Sequence, residues 1–309
     1  MELNCHDHWS DYWQRGDAHA CTREFSADAR TIIASNWKRH FGQLESGARL
    51  LDLATGNGAL PTYLADTLPL GVRDIEAVGV DLATIEKTAP KFVRPDARVS
   101  MEFRGKVDIA DLPFEDDEFD LVTSQYGIEY ADLPKALAEA CRVTRGRLVL
   151  LMHASEGVVV RQNADIVRQI RLVTDELRMV DLVRQYLVKP DHDGRTLLLQ
   201  AFEQLQSEIA TVENPSFLRT FQQQLKQICD SLHTYPATTV TAVIDEFEER
   251  LSNHADRMAS LESAAVTAQE LQTILHRQIP SEMQAQDIKP LYSDEGAHLI
   301  GYWVEAWRV

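Results

Sequence analysis

The sequence predicts an α/β fold in which a parallel sheet is covered by helices on both faces. Between residues 48 and 154, short apolar runs alternate with amphipathic stretches, which is the pattern of strands separated by crossover helices. The first of these runs leads directly into "TGNG", and two closely spaced glycines after a strand indicate a sharp turn into a helix. Such a turn is a common binding place for a nucleotide-like ligand.

The elements follow in order along the chain. Residues 1–45 are predicted to be a helical lead-in, because "ADARTIIASNWKRHFGQL" carries apolar residues at helical spacing. Five strand-like runs come next, each bounded by turn residues or by a helix-like stretch. They are "RLLDLA" (49–54), "EAVGVDLA" (76–83), "VSMEFRG" (99–105), "FDLVTSQY" (119–126) and "RLVLLMHA" (147–154).

The composition changes after the fifth run. Residues 156–279 contain few glycines and many Gln, Glu, Leu and Arg residues, which favours three or four helices. The last residues, "DIKPLYSDEGAHLIGYWVEAWRV", alternate apolar and polar side chains around "SDEG" and predict a β-hairpin. Two strands alone are not stable, so this hairpin is expected to join the sheet.

These elements predict a domain interrupted by an insertion. The sheet domain comprises residues 46–155 and 286–309, and the all-helical insertion comprises residues 156–285. The alternative is an independent second helical domain, which the strand-like carboxyl terminus disfavours.

Composition limits the partners. A content of 44% hydrophobic and 26% charged residues is that of a soluble globular protein, and no run reaches the roughly eighteen apolar residues of a membrane helix. The amino-terminal residues resemble neither a signal nor a transit peptide, and four scattered cysteines suit a reducing cytoplasm. The net charge of −17 opposes docking on nucleic acid and favours small or neutral partners.

The residues of the glycine turn exclude two kinds of ligand. No Lys-Ser or Lys-Thr follows, as a triphosphate-binding loop requires, and Pro61 occupies the third glycine position of a dinucleotide fingerprint. What remains is Asp52-x-x-x-Gly56-x-Gly58, with Asp81 at the end of the second run. A carboxylate at that strand end can accept hydrogen bonds from both hydroxyls of a ribose.

With these residues the chain resembles class I S-adenosylmethionine-dependent methyltransferases. "DLATGNG" is similar to the family's acidic-x-Gly-x-Gly-x-Gly loop, with Ala54 in the first glycine position, and "GVDLA" is similar to its ribose-binding strand. "VDIADLPFEDDEFDLVTSQYGIEYADLPKALAEACRVTRGRLVLL" is similar to the later motifs, so the resemblance covers residues 45–154. It implies a doubly wound, seven-stranded Rossmann-like sheet with a C-terminal antiparallel hairpin.

The resemblance also implies S-adenosylmethionine as methyl donor and S-adenosylhomocysteine as product. Asp52 would face the ammonium group, Asp81 the ribose hydroxyls and Asp108 the adenine amino group. The residues alone leave other readings open, since Asp52 could cap the next helix and Asp108 could shape a turn. The implied cofactor-binding positions are Asp52, Ala54, Thr55, Gly56, Gly58, Asp81, Leu82, Asp108, Ile109, Ser124 and Gln125.

Candidates for the acceptor side follow the strand ends. Methyl transfer is an in-line displacement that depends mainly on geometry, and a base is needed only where the acceptor must lose a proton. His153 is the first candidate for a base because histidine titrates near neutrality, although packing in the core would also explain it. The candidate catalytic residues are His153, Glu129 and Tyr126, and the candidate substrate-side residues are Tyr12, Trp13 and Tyr130.

No metal is expected. The amino-terminal segments "CHDH" and "HAC" contain competent ligands, namely Cys5, His6, His8, His19 and Cys21. Their spacing matches no familiar zinc pattern.

Three functional hypotheses result. The first is a cytoplasmic methyltransferase acting on a small molecule, with the helical insertion as a lid over the acceptor or as a homodimer interface. The second is methylation of RNA or protein, which a basic groove would favour and the net charge disfavours. The third is a non-catalytic S-adenosylmethionine-binding interaction protein, which the intact glycine turn and Asp81 disfavour. The acceptor atom is left open by the sequence.

Overall fold

The computed structural model describes residues 7–14, 25–85, 99–231, 234–293 and 298–309. Within these ranges the chain forms eight strands and ten α-helices. The strands are β1 (Arg49–Leu53), β2 (Ile75–Val80), β3 (Val99–Arg104), β4 (Phe119–Gln125), β5 (Thr144–Met152), β6 (Met283–Ala285), β7 (Lys289–Tyr292) and β8 (Leu299–Arg308). The helices are α1 (Asp7–Gln14), α2 (Ala27–Phe41), α3 (Ala59–Thr67), α4 (Leu133–Val143), α5 (Val158–Arg171), α6 (Met179–Val188), α7 (His192–Thr211), α8 (Ser216–Ser231), α9 (Ala237–Ala264) and α10 (Ala268–Gln278).

All strands belong to one sheet with the order β3-β2-β1-β4-β5-β8-β6, and β7 also pairs with β8. Strands β1 to β5 are parallel, and β8 is antiparallel to its neighbours. The predicted parallel sheet with a C-terminal antiparallel hairpin is therefore confirmed. An eighth strand, β6, was not predicted, because three residues are too short to show a periodic pattern.

The order of the strands creates a switch point. From β1 the chain proceeds to β2 and β3 on one side, and then returns to place β4 on the other side of β1. The crossover connections leave a crevice at the carboxyl ends of β1 and β4, which is where open α/β sheets bind their ligands.

Helices cover both faces of the sheet. Along β1 and its neighbours, alternate residues enter two separate cores, because side chains of a strand alternate between faces. Leu50 and Leu121 pack with α2 and α3 on one face. Leu51 and Val122 pack with α4 and α10 on the other. Burial on both sides explains why the strands read as continuous apolar runs in the sequence.

The chain divides into two compact units. The first comprises residues 1–161 and 260–309, and the second comprises residues 162–259. The described part of the second unit is helical and has its own core, which includes Leu205, Phe221 and Ile244. The predicted limits of the insertion, 156 and 285, stay a prediction.

No described helix is both long and apolar enough to span a lipid bilayer.

Candidate cofactor and acceptor site

Two loops meet at the switch point, one after β1 (residues 54–58) and one after β4 (residues 126–131). A Cβ built on Gly127 would lie 2.6 Å from the Cβ of Ala54, so the two backbones can approach only because Gly127 has no side chain. The Ser124 hydroxyl joins the loops, since it donates to Leu53 O (2.9 Å) and accepts from Ile128 N (3.0 Å). Ser124 therefore holds the site together through hydrogen bonds to both backbones.

The loop after β1 has a left-handed backbone at three positions. The φ angles of Ala54, Gly56 and Gly58 are 52°, 53° and 77°. Ala54 thus adopts the conformation that favours the glycine expected there, which costs an alanine roughly 1–2 kcal/mol. Gly58 is the N-cap of α3, so Asp52 does not cap this helix and that reading is excluded.

Asp52 is a buried carboxyl group at the end of β1. It accepts hydrogen bonds from the hydroxyls of Thr55 (2.6 Å) and Thr123 (2.9 Å). Burial raises the pKa of Asp52 to about 7, and the nearby charge of Asp81 adds to the rise. A carboxyl group in this state is well suited to meet a positively charged ligand group, which would stabilise its ionised form.

Asp81 connects the end of β2 to the glycine turn. Its Oδ2 accepts from Gly56 N (2.8 Å), and its Oδ1 accepts from Ala83 N (2.8 Å). The Thr55 amide donates to Val80 O (2.9 Å), which fastens the turn to the same strand. The carboxylate that the sequence singled out as a ribose acceptor is therefore bound to Gly56, the first of the two glycines that the sequence grouped with it.

Two aromatic rings pack against the glycines. The Trp13 indole lies 2.5 Å from a Cβ built on Gly56, and the Phe103 ring lies 2.5 Å from one built on Gly58. The short helix α1 is held over the turn, because Asn57 Nδ2 donates to Trp13 O (2.8 Å). Phe103 was missed in the sequence, although an aromatic residue near the end of the third strand-like run was a usable signal.

Gly58→Ala is expected to destabilise the protein more than Gly47→Ala does. Both glycines have a left-handed backbone, but a Cβ on Gly47 meets nothing within 4 Å. Each substitution loses about 1–2 kcal/mol through φ, and overpacking against Phe103 adds roughly 1–3 kcal/mol at Gly58. Urea unfolding of the two variants measures the difference. Equal losses of unfolding free energy in the two variants would show that the Phe103 ring moves aside without destabilising the protein.

The segment after β3 places the predicted adenine-side residues. Val107 N donates to Asp81 O (3.0 Å), which brings this segment to the end of β2. Asp108 accepts from Ala110 N (2.9 Å), so it shapes a turn as one reading of the sequence expected. Ile109 is buried in the core, and Leu82 is partly exposed. The adenine roles of Leu82, Asp108 and Ile109 stay predictions.

The residues at the end of β4 point in different directions. Gln125 Oε1 accepts from the Trp37 indole (2.6 Å), so its side chain is engaged by α2. Tyr126 has a φ of 55°, and its hydroxyl donates to Ile300 O (3.3 Å). Its ring stacks on His153, with 4.3 Å between centroids. The cofactor role of Gln125 therefore stays a prediction that its backbone would have to fulfil.

The predicted acceptor-side residues lie together. Glu129 Oε1 lies 2.8 Å from His153 Nδ1 and accepts from His153 N (2.9 Å), and both side chains are buried. Tyr130 presents its ring at a right angle to His153 (6.1 Å), and Trp9 packs edge-on against Tyr130 (5.5 Å). Tyr12 and Trp13 follow on the same helix, in edge-to-face contact with each other.

Cys5, His6, His19 and Cys21, like the His8 side chain, lie outside the described residues. Within the part of the chain that the structure describes, no group of three His, Cys, Asp or Glu side chains could hold a metal ion.

A doubly wound sheet with a glycine turn at its switch point and a carboxylate at the next strand end is the arrangement with which Rossmann-like domains bind nucleosides. Residues 51–151 match a family model described as a methyltransferase domain. This stretch of the chain is therefore similar to a methyltransferase domain.

The curated relatives are quinone methyltransferases by name. A demethylmenaquinone methyltransferase of Thermus thermophilus is 37% identical over 139 residues, which cover 41% of this chain and 56% of the relative. The ubiquinone/menaquinone biosynthesis C-methyltransferase UbiE of Geobacter sp. is 30% identical over 129 residues, covering 38% and 52%. The chain spans about half the length of the curated relatives it matches.

Among solved structures, magnesium protoporphyrin IX methyltransferase (ChlM) from Synechocystis PCC 6803 aligns with 98% of this chain and 98% of its own. The identity is 11% and the TM-score is 0.45, a similarity too low to indicate a function.

Proposed function

We propose that this protein transfers a methyl group from S-adenosylmethionine to a small-molecule acceptor. One observation carries the proposal. At the switch point of the sheet, Asp81 is hydrogen-bonded to Gly56, and the buried carboxyl group of Asp52 lies near Asp81, within a stretch that matches a methyltransferase domain. These three groups suit three parts of S-adenosylmethionine, which are the ribose, the methionine backbone and the ammonium.

The chemistry of the residues at this site fits S-adenosylmethionine. Asp81 would accept hydrogen bonds from the ribose hydroxyls, and Asp52 would pair with the ammonium group. The bare backbone at Gly56 and Gly58 is a cradle that a Cβ would fill. When bound, S-adenosylmethionine supplies an electrophilic methyl group on a sulfonium. The protein's contribution is then to hold the acceptor in line with it and to exclude water.

A small and partly aromatic acceptor is the best supported class. The relatives named above act, by their names, on demethylmenaquinone or in ubiquinone and menaquinone synthesis. The rings of Tyr126 and Tyr130 contact His153, and the ring of Trp9 contacts Tyr130. Flat apolar molecules pack well against such rings. The net charge of −17 argues against an RNA acceptor. A homodimer through residues 156–285 stays part of the proposal, and sedimentation of the full chain tests it.

The proposal is tested in two steps with the full chain. Calorimetry with S-adenosylhomocysteine is expected to show binding with a dissociation constant in the micromolar range. Release of S-adenosylhomocysteine from S-adenosylmethionine is then measured with a fraction of small metabolites and, separately, with total RNA and with protein. Stimulation by the small-metabolite fraction supports the proposal, and stimulation by RNA or protein alone contradicts it. Binding without release in any fraction would leave a binding protein.

A further inference from the structure

We infer that Glu129 and His153 form a general base that takes a proton from the acceptor, and that the acceptor is therefore a weak carbon or oxygen acid, such as a phenol or an enolisable ketone. This inference rests on the proposed methyl transfer and deepens it. Four observations carry it, which are the fixed orientation of the pair, a buried carboxylate oxygen without a partner among the described residues, the surrounding rings and the packing of the Glu129 loop on the glycine turn.

The pair is fixed in orientation at two points. Glu129 lies in the single 3-10 turn Ile128–Tyr130 after β4, and His153 follows β5 directly. Since β4 and β5 are parallel neighbours, their carboxyl ends bring the two residues to the same edge of the sheet. Glu129 Oε1 binds both the backbone N–H and Nδ1 of His153, at 2.9 and 2.8 Å. The backbone of His153 is also fixed, because its carbonyl accepts from Val266 N (3.1 Å).

This geometry selects the ring nitrogen that exchanges a proton. A carboxylate can only accept, so Nδ1 carries hydrogen toward Glu129, and Nε2 is the basic atom of the neutral ring. The negative charge beside Nδ1 stabilises the imidazolium that forms when Nε2 takes a proton. The described aromatic rings that contact the imidazole belong to Tyr126 and Tyr130.

The second carboxylate oxygen of Glu129 is buried and could bind a further group. Among the described residues no hydrogen-bond partner of Glu129 Oε2 is present, although this oxygen is buried. Carboxylates that only support the fold are better satisfied, as in Asp120, whose two oxygens bind the Arg145 guanidinium and Arg49 N. A buried carboxylate oxygen without a partner is costly, and a catalytic role is one of the reasons for which such a group is retained.

The surroundings favour a neutral, flat acceptor. Tyr126 stacks on the imidazole, and Tyr130 and Trp9 extend the aromatic wall toward α1. The side chains of the pair are 1% and 0% exposed, so bulk water has little access to them. An acceptor with a free lone pair, such as a pyridine, needs no base and gives no reason for this arrangement.

The loop that carries Glu129 contacts the loop that is predicted to hold the methyl donor. The loop that carries Glu129 packs on the glycine turn at Gly127 and Ala54, and Ser124 hydrogen-bonds to both loops. The balance of the reaction is then complete. The proton passes from the acceptor to Nε2, and the electron pair it leaves forms the bond to the methyl carbon. The pair of the broken carbon–sulfur bond stays on the sulfur of S-adenosylhomocysteine, and the imidazolium later returns its proton to water.

The activity test compares two classes of probe in the full chain. Naphthol and dimedone represent oxygen and carbon acids, and nicotinamide represents an acceptor with a free lone pair. We expect methylation of at least one acid and none of nicotinamide.

His153→Asn should lower kcat by about a hundredfold to ten-thousandfold, with the affinity for S-adenosylhomocysteine changed by less than about threefold. Added imidazole should restore part of the activity of His153→Ala, and Glu129→Gln should shift the pH profile of kcat.

A second histidine–carboxylate pair, with a buried histidine, provides the control. His40 Nε2 lies 3.3 Å from Glu305 Oε1, and the two side chains are 2% and 15% exposed. That carboxylate is also bound by Arg39 and by the Trp303 indole, as expected of a structural pair. His40→Asn should change stability and leave kcat within about threefold.

A measurement without turnover addresses the tautomer. Long-range nitrogen-15 NMR of the ligand-free protein should show His153 protonated on Nδ1, with the signal assigned by its loss in His153→Asn. Protonation on Nε2 instead would overturn the inference. So would methylation of nicotinamide alone, or kcat retained within about threefold in His153→Asn. Binding of S-adenosylhomocysteine with no turnover of any probe would reject the base and leave the cofactor site intact, whereas absence of binding would reject the proposed function itself.

Discussion

Asp81→Ala is expected to lower the affinity for S-adenosylhomocysteine by at least about a hundredfold. Two hydrogen bonds from the ribose hydroxyls to a carboxylate are worth roughly 1.5–3 kcal/mol each, and every 1.4 kcal/mol corresponds to about tenfold in affinity. The substitution also removes the acceptor of Gly56 N and Ala83 N, so the glycine turn loses a support. Calorimetry at a fixed pH measures the change.

Asp120→Ala separates this effect from a loss of folding. Asp120 lies on β4, where it accepts from Arg49 N (2.8 Å) and from the Arg145 guanidinium (2.7 Å), remote in sequence from the glycine turn. This variant is expected to unfold at lower urea concentration and to bind S-adenosylhomocysteine with nearly unchanged affinity. If Asp81→Ala binds within about threefold of the wild-type protein, the ribose assignment is wrong.

Much of the fold could be predicted because burial on both faces leaves a clear trace in the sequence. The five strand-like runs agree with β1 to β5 to within a few residues, and the terminal hairpin joins the sheet as expected. The glycine turn was recognisable because only a few residue types adopt its left-handed backbone. The strand β6 left no such trace, since its three residues depend on pairing with β8.

The partners of the site residues could not be predicted. Asp52 and Thr123 are 71 positions apart and are brought together by the register of β1 and β4, which depends on the sheet order. His153 and Glu129 were proposed separately, whereas their contact follows from the pairing of β4 with β5. Periodicity gives the face on which a side chain lies, and the neighbour on that face comes from the topology.

The affinity for S-adenosylhomocysteine is expected to rise with pH between 6 and 8. In the ligand-free protein the pKa of Asp52 is raised to about 7, mainly by burial. Below this pH the carboxyl group of Asp52 is mostly protonated and neutral. It must lose this proton before it can pair with the ammonium group of the ligand. The dissociation constant should therefore be about tenfold larger at pH 6 than at pH 8. Adenosine lacks the ammonium group, so its affinity should change little over the same range. Equal pH dependence for both ligands would contradict the pairing with Asp52.

Asp52→Asn is expected to weaken binding of S-adenosylhomocysteine and to stabilise the ligand-free protein at pH 8. The folded-state pKa of Asp52 is raised above the unfolded value of 3.8, so the fold favours the neutral form. The contribution of Asp52 to the free energy of unfolding is then most favourable below pH 3.8. It falls by on the order of 2–4 kcal/mol as the pH rises toward 7. Asparagine stays neutral and escapes this loss. Urea unfolding should show a gain at pH 8 that shrinks toward pH 4, together with an affinity that no longer depends on pH. A gain of the same size at both pH values would contradict ionisation of Asp52 as its cause.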